Sequence, residues 1–136
     1  MAREVFVDAS AWIAVVSQRD QFHSVATPIY KRLVSERYEL VTTNLVIAEA
    51  HIAIRRVSGF DPAIRFLESI RQTHRLQMIY ADPDIDLLAG RILRQFKDHE
   101  LSLADAVSFA VMRQREITDA FTFDRHFQMA GFVQAS

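Results

Sequence analysis

The 136 residues carry 16 basic and 17 acidic side chains, a net charge of −1, and half of the chain is apolar. That length predicts a single domain over 1–136, and the near-neutral charge excludes the broad basic surface from which a passive polyanion-binding module draws its affinity. The absence of cysteine excludes a disulfide frame, a zinc ribbon and a thiol nucleophile, and fits a reducing compartment.

The first eight residues lack the basic and then apolar pattern of an export signal. No run reaches the roughly 18 uninterrupted apolar residues of a membrane span, so a soluble, cytoplasmic protein is expected. In chain order, four short segments read as strands: Glu4–Val7, Leu40–Thr43, Leu76–Tyr80 and Asp119–Phe123, each followed by a helical pattern. Helix starts are predicted at Thr27-Pro28, Asp61-Pro62 and Asp82-Pro83, where a capping side chain precedes a proline. Ser102, three residues before Asp105, predicts the cap of a helix over Leu103–Arg113, and Gly59 suits the end of a helix over Leu45–Arg56. With three glycines and three prolines there is no flexible linker, and no repeat is visible. Such alternation predicts a three-layer α/β fold with a mostly parallel sheet and ligands beyond the carboxyl ends of its strands.

Four acids stand alone in apolar segments. Asp8 is the one charge between Val5 and Ser17, Glu49 between Val41 and Ile54, and Asp105 between Leu101 and Met112; Asp124 directly follows the last predicted strand. Burial is expected for all four, and an ionised carboxylate is rarely buried without compensation. Only Asp124 has a base beside it, Arg125. Acids that converge raise one another's pKa values unless a shared cation holds them ionised, and an all-oxygen shell selects a hard ion, Mg²⁺ or Mn²⁺.

On these residues the chain resembles the PIN domain family, and within it the VapC-type toxin ribonucleases. The matching pieces are Val7-Asp8-Ala9-Ser10, Glu49 within Thr43–Ala50, Asp105 within Leu101–Ala106, and Thr122-Phe123-Asp124-Arg125-His126-Phe127. Each is weak alone; four in the family's order are specific. The resemblance implies a sheet of about five parallel strands, with the acids at its carboxyl edge binding one or two Mg²⁺ or Mn²⁺ ions, and RNA as substrate. It implies a metal-dependent endoribonuclease that leaves 5′-phosphate and 3′-hydroxyl ends. Asp8 and Asp105 would be the main ligands, Glu49 and Asp124 would complete the site, and Ser10 and Thr122 would orient ligands through their hydroxyls. It also implies a homodimer and a small antitoxin, VapB-like, that occludes the acidic groove. Two alternatives stay open: a nuclease of RNA processing that is not a toxin, and an inactive RNA- or protein-binding module.

Other residues have plainer readings. Asp82, Asp84 and Asp86 complement a helix start, Asp119 sits at the wrong end of its strand, and His51 and His126 lack any metal-ligand spacing and read as structural. Arg55, Arg56 and Arg125 are candidates to hold RNA, and Trp12, Phe22 and Tyr30 to stack on bases, although a tryptophan placed like Trp12 on an apolar helix is more often core or interface. A phospho-acceptor regulatory domain would need a lysine at a late strand end, and the two lysines, Lys31 and Lys97, fall in helical segments.

Overall fold

The computed structural model describes residues 3–136. Its chain order is β1 (Glu4–Val7), α1 (Ala9–Val16), α2 (His23–Ser35), β2 (Glu39–Thr43), α3 (Asn44–Ser58), α4 (Phe60–Gln72), β3 (Leu76–Ile79), α5 (Pro83–Gln95), α6 (Leu103–Arg115), β4 (Asp119–Phe121), α7 (His126–Met129) and β5 (Val133–Gln134). All strand pairs are parallel, in the order β3-β2-β1-β4-β5. Successive side chains of a strand point to opposite faces, yet Val5, Phe6 and Val7 are all fully buried, so helices cover both faces of the central strand. The predicted three-layer α/β fold is the one observed.

The chain builds outward from β1 through β2 to β3, then returns to place β4 and β5 on the other side of β1. The gap between β1 and β4 is therefore where strand order reverses, and its carboxyl end is open to a ligand. Packed next to this point is α6, whose residues Asp105 to Met112 are all buried. Phe6, Phe109 and Phe127 form the aromatic centre below it, with Phe109 edge-on to Phe127 at 4.9 Å.

Two helix starts differ from the expected positions. α2 begins at His23, not after Thr27, and Pro28 lies inside it. Asp20 accepts a hydrogen bond from the Phe22 backbone N–H, and the His23 ring meets the Ala14 carbonyl at 2.7 Å, so tertiary contacts hold the first turn. α4 begins at Phe60 from Gly59, which also ends α3 with a φ of 96°; Asp61 lies in the first turn, and Pro62 falls where no intrahelical donor is needed. Asp82-Pro83 and Ser102 start helices as predicted. β3 and β4 end earlier than predicted, at Ile79 and Phe121, and β5 has no counterpart among the four strands read from the residues.

Candidate metal centre

Asp8 leaves β1 at the strand-order reversal and caps α1, its carboxylate accepting from the Ser10 backbone N–H. Its own N–H donates to the Phe121 carbonyl, which extends the β1 to β4 pairing up to the site. Two hydroxyls donate to Oδ2 of Asp8: Ser10 Oγ at 2.8 Å and Thr122 Oγ1 at 3.0 Å. Each hydroxyl also accepts a backbone N–H at 2.9 Å, Ser10 from Phe123 and Thr122 from Asp124. An ionised carboxylate only accepts, so each hydroxyl gives its one proton to Asp8 while a lone pair takes the backbone N–H. Ser10 and Thr122 thus tie Asp8 to the turn that carries Asp124.

Asp105 is the third residue of α6 and forms a reciprocal cap with Ser102. The Asp105 N–H donates to Ser102 Oγ at 3.0 Å, and the Ser102 N–H donates to Asp105 Oδ2 at 3.3 Å. The cap fixes one oxygen of a buried carboxylate at the helix start. Asp124 accepts from the His126 N–H on Oδ1 at 2.9 Å, a short turn leading into α7. One donor atom each from Asp105, Asp124 and His126 lie within 4.8 Å of one another, the one such group among the described residues. Asp8 falls outside this group but its charge couples to that of Asp105.

The expected burial holds for Asp8 and Asp105, while Asp124 is half-buried and Glu49 is exposed. The correction at Glu49 has a simple origin. α3 turns Val46, Ile47, Ala50 and Ile54 inward, which leaves Ala48, Glu49 and the apolar Ile52 on the open side. An apolar composition concealed an outer face. Glu49 still belongs to the acidic group electrostatically.

Burial pushes the Asp8 carboxyl above the ordinary value of 3.8; the Ser10 and Thr122 hydroxyls and the Ala9 backbone oppose the shift, and the charge of Asp105 adds to it. Burial likewise raises Asp105, opposed by Ser102 and the His126 ring and reinforced by Asp124. Glu49 is raised by desolvation first and then by the charges of Asp105, Asp8 and Asp124. No lysine or arginine forms an ion pair with any of the four among the described residues. Carboxylate oxygens with one imidazole nitrogen and no thiol suit a hard or borderline divalent ion, and the crowding of raised pKa values is what such an ion relieves.

Of the other candidates, Trp12 is core, with its Nε1 donating to Thr42 Oγ1, and Tyr30 packs edge-on against it. Phe22 stacks flat on Phe123, centroids 4.5 Å apart. Arg56 lies seven residues beyond Glu49, on the same helix face and roughly 10 Å along the axis, while Arg55 covers the Phe60 ring. Arg125 is exposed beside Asp124. Asp119 begins β4 at the opposite edge, and Asp82 caps α5. His126, read from the residues as structural, is brought by the fold to the acids Asp105 and Asp124. Its one signal was position, two residues after a candidate ligand at the end of a strand.

Residues 5–133 match the PIN domain family. The 23S rRNA-specific endonuclease VapC20 of Mycobacterium tuberculosis is 34% identical over 131 residues, 96% of each chain. The crystal structure of that protein, described as a sarcin-ricin loop cleaving toxin, superposes with a TM-score of 0.84 over 95% of this chain and 96% of that one, at 33% identity. PAE2754 from Pyrobaculum aerophilum shares the fold, with a TM-score of 0.67 at 23% identity over 99% of this chain and 91% of its own. The FitAcB structure from Neisseria gonorrhoeae shares it too, at 0.70 and 13% identity over 97% and 96%. The order of the four acids, the parallel sheet that gathers them and these likenesses agree: the chain belongs to the PIN domain family.

Proposed function

We propose that this chain is a divalent-ion-dependent endoribonuclease, a single PIN domain acting in the cytoplasm as the toxin of a toxin-antitoxin pair. The observation that carries this reading is the group of acids at the strand-order reversal, buried or crowded and with no lysine or arginine in ion-pair contact among the described residues. The likeness to VapC20, a 23S rRNA-specific endonuclease, over nearly its whole length supports RNA as the substrate class.

Asp8, Asp105 and Asp124 would hold Mg²⁺ or Mn²⁺, with Glu49 reaching the ion directly or through water from the open side. When bound, such an ion supplies Lewis-acid activation of water and of the phosphodiester. The chain's own residues do the positioning. Ser10 and Thr122 hold Asp8 by Oδ2 and leave the other oxygen for a ligand. The cap at Ser102 does the same for Asp105. Arg56 and Arg125, exposed near Glu49 and Asp124, would meet backbone phosphates.

The family resemblance also implies pairing with a second copy of the chain. A small antitoxin would close the acidic groove. The test is cleavage of defined RNAs, ribosomal RNA among them, by wild type and Asp8→Asn with Mg²⁺ or Mn²⁺. Cleavage that chelator abolishes, products with 5′-phosphate and 3′-hydroxyl ends, and loss of at least about a hundredfold in the variant are expected. Chelator-indifferent cleavage, or a fully active variant, overturns the reading.

A further inference from the structure

The turn after β4 brings a nitrogen donor to a site otherwise made of oxygens. A ring nitrogen of His126 lies within 4.8 Å of carboxylate oxygens of both Asp105 and Asp124. Its Nδ1 is shut off from solvent, has no hydrogen-bond partner and stands 3.2 Å from Oδ1 of Asp124. A buried ring nitrogen is seldom left unpartnered without a functional reason. Two donors at right angles on one ion, each at roughly 2.1 Å, stand about 3.0 Å apart, close to the separation found here. The His126 backbone N–H donates to that same Oδ1, which fixes the Asp124 carboxylate against the residue that carries the ring.

We propose that His126 is a nitrogen ligand of the divalent ion held by Asp105 and Asp124, and that it makes the centre favour Mn²⁺ over Mg²⁺. The inference rests on the divalent-ion reading above. Mg²⁺ takes oxygen ligands and keeps much of its water, whereas an imidazole nitrogen is a borderline donor that first-row ions accept. The neighbouring ring, His99, lies edge-on to His126 at 6.4 Å and is outside the ligand group, so it serves as a control.

Spin-echo spectroscopy of the Mn²⁺-loaded protein reads nitrogen coordination directly. Wild type and His99→Asn are expected to give the ¹⁴N modulation of a bound imidazole, replaced by the ¹⁵N pattern when histidine is ¹⁵N-labelled. His126→Ala and His126→Phe, the second keeping a ring against His99, are expected to lose it. In calorimetric titrations both variants bind Mn²⁺ about tenfold more weakly, with Mg²⁺ affinity within about twofold of wild type. Even where a His126 variant fails to fold, the labelled wild-type spectrum shows whether a histidine is bound, and its persistence in His99→Asn excludes the neighbouring ring. Mn²⁺ bound to wild type without nitrogen coupling overturns His126 as a ligand and leaves the divalent-ion reading intact; a wild type that binds neither ion overturns that reading itself.

Discussion

At the amino edge of the sheet, Glu4 at the head of β1 pairs with Arg115, and Glu39 at the head of β2 pairs with Arg75. At the carboxyl edge, Asp8, Glu49, Asp105 and Asp124 meet hydroxyls, backbone N–H groups and one imidazole, with no arginine in ion-pair contact among the described residues. The chain holds 14 arginines and 2 lysines, so cations are plentiful. Their placement differs. Glu4 and Glu39 are neutralised within the chain, which serves the fold; the acids at the other edge keep burial and mutual repulsion, which hydroxyls and backbone N–H groups oppose without a cation.

The comparison breaks most directly if the carboxyl edge is given the amino edge's remedy. Glu49→Arg would place a guanidinium near Asp105, Asp8 and Asp124, whose charges already act on that position. The metal-free variant should melt higher than wild type, divalent ions should no longer raise its melting temperature, and RNA cleavage should fall at least about a hundredfold. A variant that still gains stability from Mn²⁺ would show that the cluster binds the ion without needing Glu49's side of the site.

A smaller change removes the scaffold and keeps the acids. Thr122→Val deletes the hydroxyl that donates to Asp8 and accepts from the Asp124 N–H, leaving both groups short of a partner. Ion affinity should drop about ten- to a hundredfold, and stability by roughly 1–3 kcal/mol from the unsatisfied groups. Thr122→Ser restores the hydroxyl and should recover most of the affinity. Equal loss in both variants would assign Thr122 to packing alone.

Much of this was readable from residue types, because charge in an apolar segment is a local signal. Asp8 and Asp105 lie where the lone-acid argument puts them, and the Ser102 cap follows from a three-residue spacing. What escaped depends on contacts distant in the chain. The start of α2 is set by Asp20 and by the Ala14 carbonyl, not by Thr27 and Pro28. The exposure of Glu49 depends on which side of α3 meets its neighbours, and a run with apolar residues all round does not say. His126 gains meaning only when Asp105, twenty-one residues earlier, is folded against it. β5 is two exposed residues held by pairing to β4 and by Gln134 donating to the Thr122 carbonyl, so no periodicity marks it.

The pH dependence of the metal-free protein separates the two edges more gently. The carboxyls of Asp8 and Asp105 are raised in the folded state, so the native chain binds more protons than the unfolded one above the ordinary value of 3.8. Their contribution to stability therefore declines as pH rises from about there through the raised values, the reverse of a paired acid. With chelator present, Asp8→Asn and Asp105→Asn should gain stability relative to wild type as pH goes from 4 to 7, the pH values being roughly chosen to span that titration. Saturating Mn²⁺ should reverse the order at neutral pH. Denaturant titrations along the series check it, and a pH-independent difference would mean that burial does not raise the two carboxyls.

The smallest effect belongs to the amino edge. Glu39 and Arg75 are partly open to solvent, their side chains 34% and 43% exposed, and a pair of that kind is worth about 0–1 kcal/mol. Glu39→Gln should lower stability by no more than that, with the loss disappearing in high salt as screening removes the attraction. Cleavage and ion affinity should stay at the wild-type level, because Glu39 opens β2 at the end opposite Thr43 and shares no contact with the acidic group. Thermal melts at low and high salt, together with an ion titration, measure both. A fall in ion affinity here would mean that the two edges are coupled through the strands, and that the carboxyl edge is not the self-contained site that its hydrogen bonds describe.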